Sequence, residues 1–219
     1  MPGPPFINIT KKHLDRLVGL CFFVSMSKAG TKRDEIIEIA SELFYTQGFG
    51  ATGIKQIIDA AGIAKGTFYT HFASKEQLGV AWLTNRHHVW NAWLETSLTP
   101  IDGSANKLSA CFQFLKDWLQ ESNFRGCAFL NTMAETPDSE NSMRAVVTQH
   151  KQQLLEKFQQ LTSEHFSGTP LSPNSTIQLG STIYLLFEGA LVESQNFQDT
   201  WPVDAALTQV HQILNSKAA

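Results

Sequence analysis

The stretch Lys65-Gly66-Thr67-Phe68-Tyr69-Thr70-His71-Phe72 gathers an ammonium, hydroxyls, a phenol and an imidazole into little more than two helical turns. Phe68 and Phe72, four residues apart, share the side that anchors such a helix. Lys65, Thr67, Tyr69 and His71 are left for the outside, and Gly66 lets the backbone approach a partner closely. A slim, polar, donor-rich helix face is suited to base edges and phosphates in a DNA major groove about 12 Å wide. Chemistry that makes or breaks bonds has no comparable concentration of residues. No glycine-rich phosphate loop, His-Glu-x-x-His run or Cys-x-x-Cys pair occurs. His87 and His88 are adjacent, so on a helix they diverge and cannot share a metal ion. Cys127 and His150 are a nucleophile and a base that nothing in the sequence positions. No enzyme activity, metal or cofactor is implied.

The surrounding residues supply the elements that would present this face. Thr31 is an N-cap with Asp34 and Glu35 in the first turn, where the helix dipole favours acids. Ile36, Ile37, Ala40, Leu43 and Phe44 follow as one buried stripe, and Gly48 ends the helix. Thr52 caps a short second helix carrying Ile54, Ile57 and Ile58. Gly62 makes a tight turn into a third helix from about Ala64 to Phe72. Ser74, with Gln77 three residues on, opens a long helix through Leu78, Ala81, Trp82, Val89 and Trp93 to about Leu98. Two short helices joined by a glycine turn are a helix-turn-helix arrangement.

Gly48-Phe49-Gly50-Ala51-Thr52, then Ile54-Lys55-Gln56-Ile57, then Ala61-Gly62-Ile63-Ala64-Lys65-Gly66-Thr67-Phe68-Tyr69-Thr70-His71-Phe72-Ala73-Ser74-Lys75-Glu76 resemble the DNA-binding domain of TetR-family transcriptional regulators over about residues 31–78. The resemblance implies an all-α protein, with a helix-turn-helix domain at 28–76 and a helical ligand-sensing and dimerisation domain at 77–219. It implies a homodimer on palindromic double-stranded DNA, most often a repressor released by a small molecule. Carried over by position, Lys65, Gly66, Thr67 and Tyr69 meet the groove, while Thr52, Lys55, His71 and Lys75 grip bases or phosphates. Ala64 and Gly53 depart from the hydroxyl residues common at those positions, each removing a polar contact.

The rear of the chain reads as further helices. Leu108, Cys111, Phe112, Leu115, Trp118 and Leu119 form one stripe. A short segment, Cys127 to Glu135, breaks at Pro137. Ser139 caps a long polar helix, Gly168 to Pro173 is a linker, and helices run from Ile177 to about Phe197 and from Val203 to Leu214. Gly180, Ser181, Gly189 and Ala190 permit close packing, and the resemblance makes these last two helices the dimer interface. By the same resemblance an effector pocket lies among Trp90, Trp93, Phe112, Trp118, Phe129, Met133, His150, Tyr184 and Phe187. Its aromatic lining implies an apolar or aromatic effector, and Cys127 adds the alternative of an electrophilic one. Gly126-Cys127 resembles a subgroup in which that cysteine senses electrophiles or oxidants, and Arg125 beside it would favour the thiolate.

Composition agrees with a folded chain. The 219 residues are 42% hydrophobic and 17% charged. No apolar run approaches the ~18 residues that span a bilayer, so no membrane partner is expected. Three cysteines, Cys21, Cys111 and Cys127, fit a reducing cytoplasm. Residues 1–75 are basic, with nine Lys+Arg against six Asp+Glu, and the remainder is acidic, with eight against fourteen. Residues 1–27 read as a leader: a basic segment and the apolar run Leu17–Val24 only loosely resemble a signal peptide, and Met26 is the expected natural start. A competing class is a helical binding protein for small apolar molecules that makes no use of DNA. The polar outer face of Lys65–His71 separates the two.

Overall fold

The computed structural model describes residues 30–215; the 1–27 leader, the Met26 start and Cys21 lie outside the described residues. Those residues are helical throughout, without strands. The elements are α1 (Lys32–Gln47), α2 (Ile54–Ala61), α3 (Lys65–His71), α4 (Lys75–Leu98), α5 (Ser104–Glu121), α6 (Ala128–Glu135), α7 (Met143–His165), α8 (Pro173–Phe197) and α9 (Trp201–Asn215). The all-α expectation, a small front bundle and a larger rear one, is what folds.

α1 to α3 close over the front of α4. Thr31 caps α1 in a reciprocal box with Asp34, as its sequence suggests. Ile36, Ile37, Ala40 and Phe44 then pack with Ile57, Phe68 and Phe72 beneath Leu78 and Trp82 of α4. Phe68 is wholly buried, a burial that stabilises by roughly 1.5–3 kcal/mol. The Trp82 indole N–H donates to Ser41 Oγ at 3.1 Å and ties α4 to α1. Ser74 caps α4, accepting from the Gln77 amide at 3.1 Å, while Gln77 Oε1 accepts from the Ala73 amide.

α4 continues into the rear bundle, where His87, Trp90, Leu94 and Leu98 are buried; Ala81, Val89 and Trp93 stand half-buried. α5 buries the whole expected stripe, and Phe114 besides. α7, α8 and α9 pack around Phe112, Phe158 and Phe187, whose rings meet edge-on or tilted. Gly180 lets α8 reach α7: a β-carbon there would lie 2.5 Å from Gln159 Cα. Its smallness therefore serves packing within the chain. Gly189 faces open space.

Four helix starts differ from expectation, the smallest shift being in α9, which begins at Trp201, two residues before Val203. Gly53, not Thr52, is the N-cap of α2, because the Thr52 hydroxyl turns inward and donates to the Gly48 carbonyl at 2.8 Å. α7 begins after Ser142, not Ser139; the Ser142 hydroxyl and amide both donate to Glu76 on α4. α8 begins at Pro173, four residues before Ile177, with Ser172 Oγ accepting from the Ser175 amide.

Candidate nucleic-acid interface and effector cavity

The turn between α2 and α3 is closed by Gly62, which adopts the left-handed conformation at φ 61°. Its amide donates back to the end of α2, and the Ile63 amide donates to the Ile58 carbonyl at 3.2 Å. The turn sets α3 across the front of the domain, with Phe68 and Phe72 inward. On the outside, Lys65 and Gly66 are exposed, Thr67 and His71 are half-buried, and Tyr69 is 44% exposed. The Lys65 ammonium lies 5.9 Å from the centre of the Tyr69 ring, so a cation and a phenol share one patch.

The neighbouring positions divide. Lys55 is exposed on α2 and paired with Asp59 at 2.9 Å, a carboxylate that raises its pKa. Lys75, at the first position of α4, is half-buried. Its ammonium donates to the Gly50 carbonyl at 3.3 Å and lies 4.4 Å over the Phe49 ring, and burial lowers its pKa against the charge of Glu135. Thr52 is a correction. Its side chain is wholly buried and its hydroxyl is held by the Gly48 and Leu43 carbonyls, so it offers nothing to a phosphate. Its service is to brace the loop between α1 and α2.

Behind this domain, α4, α5, α6, α7 and α8 enclose a cavity of about 10 Å³, room for roughly one water molecule. Of the residues named from the sequence, Trp90, Trp118, Cys127, Phe129, His150 and Phe187 line it. Phe112 packs instead into the core against Phe158 and Phe187, and Trp93 stacks edge-on to Phe114. Met133 and Tyr184 are half-buried and outside the lining, though Tyr184 lies within electrostatic reach of Glu188, Lys151 and Cys127. Sequence reasoning missed Arg86, Lys151 and Glu188, three charged residue types in an otherwise aromatic and aliphatic wall.

Cys127 is 3% exposed and forms the N-cap of α6. Gly126 before it has φ 80°, a backbone conformation that favours glycine, and a β-carbon there would displace the Gln195 amide, whose Oε1 would lie 2.1 Å away. The cation beside the sulfur is Lys151, not Arg125. Lys151 Nζ lies 3.9 Å from Cys127 Sγ and 2.6 Å from Glu188, whereas Arg125 Nε donates to the Tyr45 carbonyl. Burial acts to lower the Lys151 pKa, but Cys127 and Glu188 outweigh it and the ammonium is held. Burial, with Glu188, pushes the Tyr184 phenol up to about 12. His150 stacks on Phe129 with ring centres 3.9 Å apart, and its Nδ1 lies 3.1 Å from His87 Nδ1. Burial drives the His150 imidazole down to about 3. The Trp90 indole N–H, at the same cavity, is buried without a partner. Cys111 lies in the α5 core, where burial pushes its thiol up to about 12.

Two family descriptions account for most of these elements. Residues 36–81 match "Bacterial regulatory proteins, tetR family", and residues 104–209 match the C-terminal domain of LmrA/YxaF-like transcriptional regulators. The chain belongs to the TetR family. It is a DNA-binding transcriptional regulator and not an enzyme, in a family whose members typically act as dimeric, ligand-released repressors. The transcriptional repressor NemR of Escherichia coli strain K12 is 26% identical over 195 residues, 85% of this chain and 95% of NemR. The uncharacterized regulator YxaF of Bacillus subtilis strain 168 is 23% identical, over 88% of this chain and all of YxaF. Among solved structures, a TetR-family regulator from Streptomyces coelicolor superposes with TM-score 0.79 at 23% identity, over 91% of this chain and 96% of that one. Reduced E. coli NemR gives 0.72 at 22% identity, over 86% and 100%. No helix among the described residues is long and apolar enough to cross a membrane.

Proposed function

We propose that this TetR-family regulator is a cytoplasmic repressor that holds a palindromic operator as a dimer. It is released when an apolar, aromatic or electrophilic small molecule engages Cys127. The observation that carries this is a near-buried thiol in an aromatic cavity, with an ammonium 3.9 Å away to offset the charge of a reacting sulfur. The partnerless Trp90 N–H gives an effector with a carbonyl or other acceptor a place to bind. NemR, which shares the architecture, is a repressor whose solved structure is of a reduced form.

On the DNA side, Lys65, Gly66, Thr67 and Tyr69 enter the major groove, and Lys55, His71 and Lys75 hold phosphates. For the dimer, the outer side of α8 carries Ile177, Leu185 and Val192, exposed by 44%, 65% and 39%, and at its far end Phe197 meets Trp201 of α9, exposed by 58% and 51%. An apolar stripe of that kind is suited to a second copy of α8 and α9.

The test starts by selecting bound duplexes from a random pool. Operator affinity is then followed by fluorescence anisotropy with and without a thiol-reactive compound. The expected result is release of the wild type and retention by Cys127→Ser. Equal release of both proteins would remove the thiol from the mechanism.

A further inference from the structure

Residues 125–135 touch the reading domain at both ends and the cavity in between. At the first end, Arg125 Nε donates to the Tyr45 carbonyl at 2.8 Å, and the Tyr45 hydroxyl donates back to the Gly126 carbonyl at 3.1 Å. The Arg86 guanidinium covers the Tyr45 ring at 4.2 Å. At the other end Glu135, the last residue of α6, accepts the Gly50 amide proton at 2.5 Å. The carboxylate is seated so closely that a β-carbon on Gly48 would lie 2.8 Å from Glu135 Oε1. Cys127 is the N-cap between these two attachments.

The physical consequence follows from the length of α6. Eight helical residues span about 12 Å and move as one rod. The Arg125 end is tied to α1 by two hydrogen bonds to Tyr45, whose ring Arg86 of α4 covers, so it acts as the pivot. The Glu135 end is exposed and rests on its contact with the Gly48–Gly50 loop. That loop reaches both elements that must be aligned on DNA: Thr52, which leads into α2, donates to the Gly48 carbonyl, and Lys75, which opens α4, donates to the Gly50 carbonyl.

We infer that Glu135 is the coupling residue of this regulator. Through its hydrogen bond to the Gly50 amide, α6 transmits a change at Cys127 to the α1–α2 loop and so to operator affinity. The inference rests on release through the Cys127 thiol. Glu135 touches neither effector nor DNA in this role; it positions the loop that does.

Iodoacetamide serves as the probe, since alkylation converts the Cys127 thiol to a carbamidomethyl thioether with loss of iodide and a proton. Extent at Cys127 is read by peptide mass spectrometry, and the quantity measured is the ratio of operator affinities before and after alkylation. A ratio of about ten or more is expected for the wild type, within the usual range of allosteric coupling. Glu135→Ala is expected to bring the ratio to about three or below at the same extent of alkylation. Glu135→Gln keeps a carbonyl oxygen for the Gly50 amide and is expected to restore the wild-type ratio to within about twofold. A ratio near one in the wild type would overturn release through the thiol, and the coupling with it. A wild-type response that Glu135→Ala shares in full would overturn the coupling alone. Failure of Glu135→Gln to restore the response would overturn the hydrogen bond as its carrier.

Discussion

Lowering the pH from 7 to 5 should destabilise this protein through one imidazole. His150 is 2% exposed. It is stacked on Phe129, edge-on to Trp90, and faced by Lys151, His87 and Arg86. Burial first, then Lys151, His87 and Arg86, push its pKa from 6.5 to about 3. The sign follows from proton counting. Between pH 6.5 and 3 the unfolded chain binds a proton at this site that the folded chain refuses, so stability rises with pH in that window. It is complete above 6.5 and falls as the pH drops toward 3. From pH 7 to 5 the unfolded imidazole goes from mostly neutral to almost wholly protonated, which removes about 2 kcal/mol of unfolding free energy. His87, also lowered by burial and by His88, adds a contribution of the same sign. The assay is urea unfolding at both pH values for the wild type and His150→Phe, which keeps a ring against Phe129. The difference between the two losses isolates His150, because the other groups titrate in both proteins. Equal losses would mean that His150 accepts a proton in the folded state, and that the cavity is wet enough to solvate it.

Lys75→Ala should weaken binding to all duplexes alike and reduce the slope of log affinity against log salt by about one, whereas Lys65→Ala should relax sequence choice; titrations across salt concentrations on matched and scrambled duplexes measure both. Gly126→Ala forces a β-carbon into a backbone at φ 80° and onto Gln195, and should cost about 1–3 kcal/mol in thermal or urea unfolding. Leu185→Glu places a charge on the most exposed apolar position of α8; sedimentation at micromolar concentration should then show monomer, with operator affinity lost alongside.

The features legible in the sequence are those governed by local rules. Thr31, Ser74, Gly48 and Gly62 mark helix ends through hydrogen bonds within a few residues, and their roles in the structure match. The misread starts have distant causes. Ser139 satisfies the local criteria for a cap, but the Ser142 contact to Glu76, 66 residues away, fixes where α7 begins. Thr52 reads as a cap by residue type and as a phosphate contact by resemblance, and both roles need a free hydroxyl; the Leu43 and Gly48 carbonyls take it. The Pro173 start of α8 was locally written, since Ser-Pro is an N-cap followed by a first-turn proline, yet it sits in a turn-rich stretch. In the cavity the aromatic residues declared themselves and the ions did not, because charged side chains are expected in solvent. A signal existed. Lys151 follows Val147 by four and precedes Leu154 by three, and Glu188 precedes Leu191 by three, so both stand on apolar stripes.

That half-buried ion pair bears on the kind of molecule the cavity would select. With room for about one water, a sizeable ligand must wait for an opened conformer, and opening separates aromatic walls around an ion pair only 2.6 Å long. If the open form is about 1% of the population, a reversible ligand loses about 100-fold in apparent affinity. A reactive ligand escapes that limit, since a covalent bond to Cys127 withdraws each opened molecule from the equilibrium until all are converted. The closed cavity and the thiol are therefore complementary: closure rejects bystanders, and reaction makes rare opening sufficient. Alkylation of Cys127 should then saturate at high reagent concentration, at a rate set by opening and common to reagents of similar size. A rate that keeps rising in proportion to reagent would show the thiol accessible without opening.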